Sequence, residues 1–264
     1  RPHSNYRPLV EAGAQPVFGD LKDRASLDEA VRGVDTVITT ANSAQRGGDD
    51  NVQTVDLQGN ANLIEAAKAA GVQHFVFVSV LGASPESPSP FIQAKAASEQ
   101  RLRESGMKYT ILAPNMLMEV WVPMIVGGPA LGKQPVTLVG EGQRRHSFAS
   151  MGDVAQYAVR SVNNSAAENR MIVIGGPQAV SWRDVAAAYE KALGRPVEVQ
   201  TVPMGQPIPW LPDVINGLLM GTETYDSEVD MSETSAAFGV RPTSLDEFVQ
   251  RHVSGAQGEG AVRG

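Results

Sequence analysis

Apolar strands that alternate with amphipathic helices restrict the fold of this chain more than any other feature. The segments "VDTVITTA" (34–41), "HFVFVSV" (74–80) and "KYTILAP" (108–114) are rich in β-branched and other apolar residues, which is typical of buried strands. Helical patterns fill the intervals, over residues 53–71 and around Lys95. Strands and helices that alternate in this way predict an α/β fold, with a parallel sheet covered on both faces.

Shorter segments complete the predicted order of elements. "QPVF" (15–18) is predicted to be a short strand, and "SLDEAVRG" (26–33) a helix capped by Ser26. The second half is less regular, and its segment 116–132, broken by Pro and Gly, is predicted to be a short helix or a lid. Helices are further predicted over 150–162, 181–194, 207–221 and 244–253, and strands over 169–176 and 197–203.

The composition excludes several classes of protein. The 264 residues carry a net charge of −7, which argues against a nucleic-acid partner because nucleic acids favour basic surfaces. No apolar run reaches the roughly 18–20 residues of a membrane span, so we expect no membrane partner. The chain has no cysteine, and His3, His74 and His252 are too far apart in sequence for a recognisable metal motif. We therefore expect a cytoplasmic protein, a monomer or homodimer, without a bound metal.

Four segments in order resemble the NmrA-like branch of the atypical short-chain dehydrogenases. They are "GDLKDRASLDEAVRGVDTVI", "NLIEAAKAAGVQHFVFVSVLGAS", "KAASEQRLRESGMKYTILAPN" and "FGVRPTSLDEFV", and the resemblance covers roughly residues 1–253. It implies a doubly wound, Rossmann-like parallel sheet that binds NADP(H), with NAD(H) possible, and a smaller C-terminal α/β substrate lobe. The expected division is 1–115 plus about 150–175 for the dinucleotide-binding domain, 116–149 and 176–253 for the lobe, and a disordered tail over 254–264.

The chain departs from this family at its start. Relatives open with a strand, a Gly-rich turn, a helix and a second strand, whereas this sequence opens with "RPHS", at the expected end of that second strand. In Rossmann strand order the first two strands lie between "QPVF" and "VDTVITTA". We therefore expect the segment 15–18 to lack its neighbour, two strand edges to lie open, and this chain alone to fold poorly or bind cofactor weakly.

The resemblance assigns cofactor contacts to residues at the ends of strands. Arg1 takes the place of the residue that binds the 2′-phosphate, although a frayed terminus is an equal alternative. Asp20 and Leu21 match the adenine pocket, unless Asp20 only caps a turn. Thr39, Thr40 and Ala41, at the end of the strand 34–41, are assigned to the dinucleotide, unless they are loop residues near the site without contact. Pro114 and Asn115 are assigned to the nicotinamide side, where Asn115 is alternatively a helix cap.

Lys95 matches the lysine of the family's Tyr-x-x-x-Lys pair, in which the ammonium binds the nicotinamide ribose. The alternative is an ordinary solvated lysine of a helix. Phe91 fills the tyrosine position and has no proton to donate. The catalytic serine or threonine aligns either with Ser79 or one residue later, where this chain has Val80; alternatively the Ser79 hydroxyl only bonds to backbone. If hydride transfer occurs, the proton therefore comes from elsewhere, such as water or another side chain, unless the acceptor, a quinone or conjugated cation for example, needs little help. The remaining alternative is that there is no turnover.

Substrate contacts are expected from the second half. Met116, Met118, Trp121 and Met124 suit an apolar pocket or, equally, a core. His146 is the most plausible ionisable residue there, and the alternative is a solvated loop histidine.

Three functions fit these observations. The first is an NADP(H)-dependent reductase that transfers hydride to a small apolar or conjugated acceptor such as a quinone. The second is a non-catalytic NAD(P) sensor, which Phe91 favours. The third is a nucleotide-sugar epimerase, which the missing tyrosine disfavours.

Overall fold

Two sheets are present in the computed structural model, which describes the backbone of residues 5–44 and 46–262 and side chains through residue 256. One sheet has the strand order β1–β2–β3–β5, and the other pairs β4 with β6. The pairs β1–β2, β2–β3 and β4–β6 are parallel, which confirms the predicted parallel α/β fold. In chain order the strands are β1 (Thr36–Thr39), β2 (His74–Val78), β3 (Lys108–Pro114), β4 (Val136–Val139), β5 (Arg170–Ile174) and β6 (Val199–Val202).

Helices follow the strands at nearly every predicted position. π-Helical segments at Val52–Leu57 and Pro123–Gly127 run directly into α3 and α6. The α-helices of the described residues are α1 (Arg7–Glu11), α2 (Arg24–Ala30), α3 (Gln58–Ala69), α4 (Pro90–Glu104), α5 (Met118–Val122), α6 (Gly128–Leu131), α7 (Met151–Ser161), α8 (Trp182–Leu193), α9 (Asp213–Thr222), α10 (Ser232–Phe238) and α11 (Leu245–Val262).

The chain divides into two compact units. One contains Arg1–Ala113 and Ala158–Ile172, and the other contains Pro114–Tyr157 and Val173–Gly264. The roles predicted for them, dinucleotide binding and substrate binding, stay predictions.

The register of the first sheet determines which side chains enter the core of the first unit. Phe77 of β2 lies opposite Ile111 of β3, so both side chains point to the same face. They form a core with Phe75, Ile64 of α3 and Leu102 of α4, all fully buried. Burial of each such side chain contributes about 1.5–3 kcal/mol, so α3 and α4 are fixed on this face by apolar contact.

The second unit has its own core, built around α8. Trp182, Tyr189 and Phe148 are almost completely buried there, and the rings of Phe148 and Trp182 meet edge to face at 5.2 Å between centroids. Ser181 caps α8, because its side chain accepts a hydrogen bond from the backbone N–H of Asp184.

The segment 15–18 forms no strand, so that prediction is wrong. Within the described residues it is not paired with β1, and Val17 and Phe18 are 65% and 47% exposed. An extended segment becomes a strand only when a neighbour supplies hydrogen bonds, and the described residues supply none here. Phe18 instead packs edge to face on Tyr6, at 5.5 Å between ring centroids.

The start of α2 also differs from its prediction. Asp23, not Ser26, is the N-cap, since its carboxylate accepts hydrogen bonds from the backbone N–H groups of Ala25 and Ser26. The Ser26 hydroxyl donates to the carbonyl of Asp23 at 2.8 Å. Both residue types cap helices well, and sequence alone does not decide between two such residues three positions apart.

Two elements were not expected from the sequence. The strand β4 lies in a segment without predicted structure, and α11 continues to Val262 through most of the tail that was predicted to be disordered. Helix propagation explains the second difference, because each residue added to an existing helix gains one hydrogen bond. In the described part of the chain, no helix combines the length and apolar character that crossing a bilayer requires.

Stability is expected to fall on acidification because of His74. Its Nε2 lies 2.9 Å from Thr110 Oγ1, and burial holds the pKa of its ring below the ordinary value of 6.5. Above pH 6.5 the ring is neutral in both states, and below it the unfolded chain takes up the proton first. The unfolding free energy should therefore decrease by up to about 1.4 kcal/mol per pH unit from this residue. Urea denaturation at about pH 7.5 and 5.5 measures this loss, and the loss should be smaller in His74→Gln.

Candidate functional site

The carboxyl ends of β1 and β2 and the buried face of α4 meet in the first unit. Ligands of open parallel sheets bind outside the carboxyl ends of strands, so this edge is the first place to seek a site. The β2–β3 ladder continues to Ser79, whose N–H donates to the carbonyl of Leu112 at 2.7 Å. The polar side chains of Lys95 and Glu99 lie next to this point, since they bond to Val78 and Ser79.

Lys95 projects from α4 toward the end of β2. Its side chain is 4% exposed, and its Nζ donates a hydrogen bond to the carbonyl of Val78 at 2.8 Å. The alternative of a solvated helix lysine is therefore wrong. Burial lowers the pKa of Lys95 to about 8, although the negative charges of Asp56 and Glu99 oppose that effect. The amine thus changes charge close to neutral pH.

Two phenyl rings surround this amine. The Nζ of Lys95 lies 4.8 Å from the ring centroid of Phe77 and 5.5 Å from that of Phe91. Cations are attracted to aromatic faces at such distances. Phe91 therefore contacts the ammonium without offering a proton.

Ser79 is bonded to a carboxylate that sequence analysis did not identify. Its hydroxyl donates to Glu99 Oε1 at 2.5 Å, and Arg103 Nη2 donates to Glu99 Oε2 at 2.9 Å. Glu99 is 3% exposed. The alternative of a serine bonded only to backbone is wrong for this hydroxyl. Four-residue spacing from Lys95 to Glu99 and on to Arg103 was the signal available, because it places all three on one face of a helix.

A groove runs along α4 beside this cluster. It has a volume of about 970 Å³ and is bounded by the π-helical segment 52–57 and by α4. Alanines and prolines form much of its wall, and Glu99 and Arg103 line it as well. The carboxylate bonded to Ser79 therefore borders a space open to solvent.

The end of β1 is held by Asp56 and Asn60. The backbone N–H of Ser43 donates to Asp56 Oδ2 at 3.0 Å, and Asn60 Nδ2 donates to the carbonyl of Ala41 at 3.3 Å. Thr39 Oγ1 accepts from the N–H of Ala41 at 3.2 Å, and Thr40 is exposed. Asp56 and Asn60 were not predicted from the sequence to be site residues.

Asp56 and Asn60 each keep one oxygen without a partner. Among the described residues, Asp56 Oδ1 and Asn60 Oδ1 are buried and accept no hydrogen bond. Buried acceptors of this kind are normally satisfied by ordered water or by a ligand. Two buried acceptors thus lie near the end of β1, and the Lys95 ammonium is a donor at the end of β2.

Asp20 and Leu21 lie in the turn before α2. Asp20 Oδ1 accepts from the N–H of Lys22 at 3.0 Å, and the carbonyl of Leu21 accepts from Asn62 Nδ2 at 2.9 Å. Gly59 of α3 approaches Leu21 so closely that an added Cβ would lie 2.8 Å from the Leu21 Cβ. These contacts fix the turn against α3. Arg1, predicted to bind a 2′-phosphate, lies outside the described residues.

Pro114 and Asn115 belong to the second unit. Both amide hydrogens of Asn115 are used there, since Nδ2 donates to the carbonyl and to Oγ of Ser227 at 3.0 and 2.9 Å. Its Oδ1 accepts from the N–H of Met116 at 2.9 Å. The amide therefore holds its own unit together in this conformation.

His146 is buried in the second unit at 1% exposure, so the alternative of a solvated loop histidine is wrong. Its Nε2 lies 3.1 Å from the carbonyl of Thr222 and must carry a hydrogen, because a carbonyl only accepts. Its Nδ1 lies 2.6 Å from Ser227 Oγ. Burial lowers the pKa of His146. Both ring nitrogens are thus engaged in fixing the segment 222–227.

The apolar residues predicted to bind substrate have different positions. Met118 is 2% exposed and belongs to the core of the second unit. Met116, Trp121 and Met124 are partly buried and pack against that core.

This chain is similar to proteins of known families. Residues 3–165 match the model of a family described as NAD(P)H-binding. The NAD(P)H azoreductase of Xenophilus azovorans is 32% identical over 206 residues, which cover 78% of this chain and 68% of that protein. The photosystem II assembly factor Ycf39 of Guillardia theta is 26% identical over 257 residues, covering 92% and 81% of the two chains.

Solved structures show the same fold. The NADPH complex of the Escherichia coli quinone oxidoreductase QOR2 superposes with a TM-score of 0.75 at 24% identity, covering 93% of this chain and 86% of that one. The NADP(H) complex of the Citrobacter sp. triphenylmethane reductase gives 0.76 at 19% identity, covering 94% and 86%.

The Ser79–Glu99 bond is expected to matter for stability. Ser79→Ala leaves a buried Glu99 oxygen without its donor, so the unfolding free energy should fall by about 1–3 kcal/mol. Ser98→Ala is the matched control, because among the described residues the buried Ser98 hydroxyl bonds only to the carbonyl of Ala94 in its own helix. The control should change stability by less than about 0.5 kcal/mol. Equal losses in the two variants, measured by urea denaturation, would contradict this account.

Proposed function

Because the chain belongs to the NAD(P)H-binding family, we propose that it is an NADP(H)-dependent reductase of the NmrA-like type. It transfers hydride to a small apolar or conjugated acceptor such as a quinone. The observation that carries this proposal is the buried amine of Lys95, held at the carboxyl end of β2 with a pKa of about 8.

The acceptor class is supported by the names of similar proteins. An azoreductase, a quinone oxidoreductase and a triphenylmethane reductase act, by their names, on extended conjugated systems. Partly buried Met116, Trp121 and Met124 offer apolar surface of the kind such molecules bind, and Met118 supports them from the core. We propose a positioning role for His146, since both of its ring nitrogens hold neighbouring backbone and side-chain groups.

Cofactor contacts are proposed for the residues at the strand ends. Lys95 is proposed to donate to the ribose, with Thr39, Thr40 and Ala41 along the end of β1 and Asp20 and Leu21 on the adenine side. Pro114, Asn115 and Arg1 complete the proposed set. NADP(H) is preferred over NAD(H) because the two reductases of like fold hold NADP(H). When bound, this cofactor supplies the hydride.

Lys95 is also proposed as the source of the proton. Phe91 has none to give, and the hydroxyl hydrogen of Ser79 is donated to Glu99. Ser79 is therefore proposed to act indirectly, through its hydrogen bond to Glu99. General acids work best when their pKa lies near the working pH, and a value of about 8 meets that condition. In this scheme the Lys95 ammonium binds the cofactor ribose and also protonates the acceptor.

Turnover should depend on Lys95 and on its charge. Lys95→Met is expected to lower kcat/KM for NADPH oxidation with quinones by about 10²-fold or more, the typical contribution of a general acid. In the unmodified protein, kcat/KM should decline as pH rises through about 8, because the ammonium is then lost. Initial rates of NADPH oxidation between about pH 6 and 10 measure both effects. Lys68→Met is the control, since Lys68 is exposed on α3.

A non-catalytic NAD(P) sensor is the second candidate, favoured by Phe91 in the tyrosine position. Calorimetry of NADPH binding, together with assays of NADPH oxidation, separates the two functions. Micromolar NADPH binding without oxidation of any quinone, azo or triphenylmethane acceptor would contradict the reductase and support the sensor.

A further inference from the structure

Glu99 is an unusual residue for its position in α4. The helix turns a face toward the sheet that also contains Ala94, Ser98 and Leu102, all nearly inaccessible to solvent. A carboxylate placed there loses its hydration, which is unfavourable unless other groups compensate. A leucine or methionine would fill the same volume without that loss. The charge therefore calls for a role besides packing.

Lys95, one helical turn before Glu99, is a buried charge that lacks an adjacent counter-ion. Within the described residues no ion pair includes Lys95, and the partners of its ammonium are a carbonyl and two aromatic rings. Neutral partners stabilise an ammonium only in part, so burial alone favours the uncharged amine. Negative charges farther from the amine must supply the remaining stabilisation of the ammonium.

Two carboxylates supply negative charge to this place. Glu99 lies four residues after Lys95 on the same buried face of α4, and Asp56 lies in the π-helical segment 52–57, which packs against α4. The negative charges of both raise the pKa of Lys95, and among the described residues Asp56 Oδ1 accepts no hydrogen bond. The third charged group of the cluster is the Arg103 guanidinium, which pairs with Glu99 at 2.9 Å and weakens its effect on Lys95. Residues of β2 in contact with the amine, Phe77 and Val78, are uncharged.

We propose that Glu99 and Asp56 are positioning residues of the reductase, whose buried carboxylates keep Lys95 in its ammonium form at the carboxyl end of β2. This inference rests on the proposed function, because only a charged Lys95 donates both a hydrogen bond to the cofactor and a proton to the acceptor. Glu99 also binds Ser79, since one of its carboxylate oxygens accepts a hydrogen bond from the serine hydroxyl and the other accepts one from Arg103.

The protonation of Lys95 depends on opposing effects. Burial lowers the pKa of Lys95 and the two carboxylates raise it, with a result of about 8. At pH 7 such an amine is roughly nine-tenths protonated, and a further decrease of one unit leaves roughly half. Loss of a single carboxylate is therefore expected to lower the charged fraction of Lys95 at neutral pH.

The test is the titration of Lys95 itself, without cofactor or acceptor. Protein carrying [ε-13C]lysine is titrated by NMR between about pH 6 and 11, and the Lys95 signal is identified by its absence in Lys95→Arg. The pKa should fall by about half a unit or more in Glu99→Gln and in Asp56→Asn. Glu104→Gln, an exposed acidic residue of the same helix, should shift it by less than about 0.2 unit.

Arg103→Gln gives a prediction of opposite sign. Removal of this half-exposed cation frees the full charge of Glu99, so the pKa of Lys95 should rise. This variant is expected to fold, because the Arg103 side chain is 37% exposed, and it tests the inference even if Glu99→Gln does not fold.

Each outcome distinguishes this inference from the function it rests on. Shifts of the stated signs support the positioning role, whether or not quinones are reduced. An unchanged Lys95 titration in Glu99→Gln and Asp56→Asn, or a fall in Arg103→Gln, overturns it even in a protein that turns over NADPH. If kcat/KM of Glu99→Gln also declines at a lower pH than in the unmodified protein, by the same interval as the NMR shift, the positioning role and the reductase function are both supported.

Discussion

The hydrogen bond from Lys95 to the carbonyl of Val78 is the contact around which the candidate site is organised. It draws a positive charge into an apolar environment, between the rings of Phe77 and Phe91, where an ammonium is poorly solvated. The buried carboxylates nearby are then useful, because they compensate that charge. The pKa of the amine then remains about 8, which keeps the ammonium form predominant at neutral pH and suits a group that binds and also donates a proton.

This balance depends on how the sheet and its helices pack. Phe77 belongs both to the core with Leu102 and Ile111 and to the surroundings of the Lys95 amine. The helix α4 is therefore fixed against β2 by the same side chains that exclude water from the site. A change that loosens this core would also hydrate Lys95 and return its pKa toward that of an exposed lysine.

Much of the fold was predictable, and so was part of the site. The strands β1, β2 and β3 and the helices between them follow from periodicity, because a buried parallel strand has a continuous apolar run. Segment 15–18 was mispredicted, since strand formation needs a partner that local sequence does not reveal. Glu99, Asp56 and Asn60 were missed for a related reason: acidic and amide residues in a helix normally face solvent, and only their burial shows otherwise.

The sequence by itself determined the alternation of strands and helices, the phenylalanine in place of a proton donor, and the lysine four residues later. These are properties of residue type and spacing, which chain order preserves. Only the tertiary structure decided that Lys95 is buried, that Ser79 gives its hydrogen to Glu99, and that His146 is occupied at both nitrogens. Such facts depend on which groups from distant parts of the chain exclude water together, and the pKa of an amine or imidazole follows from that exclusion.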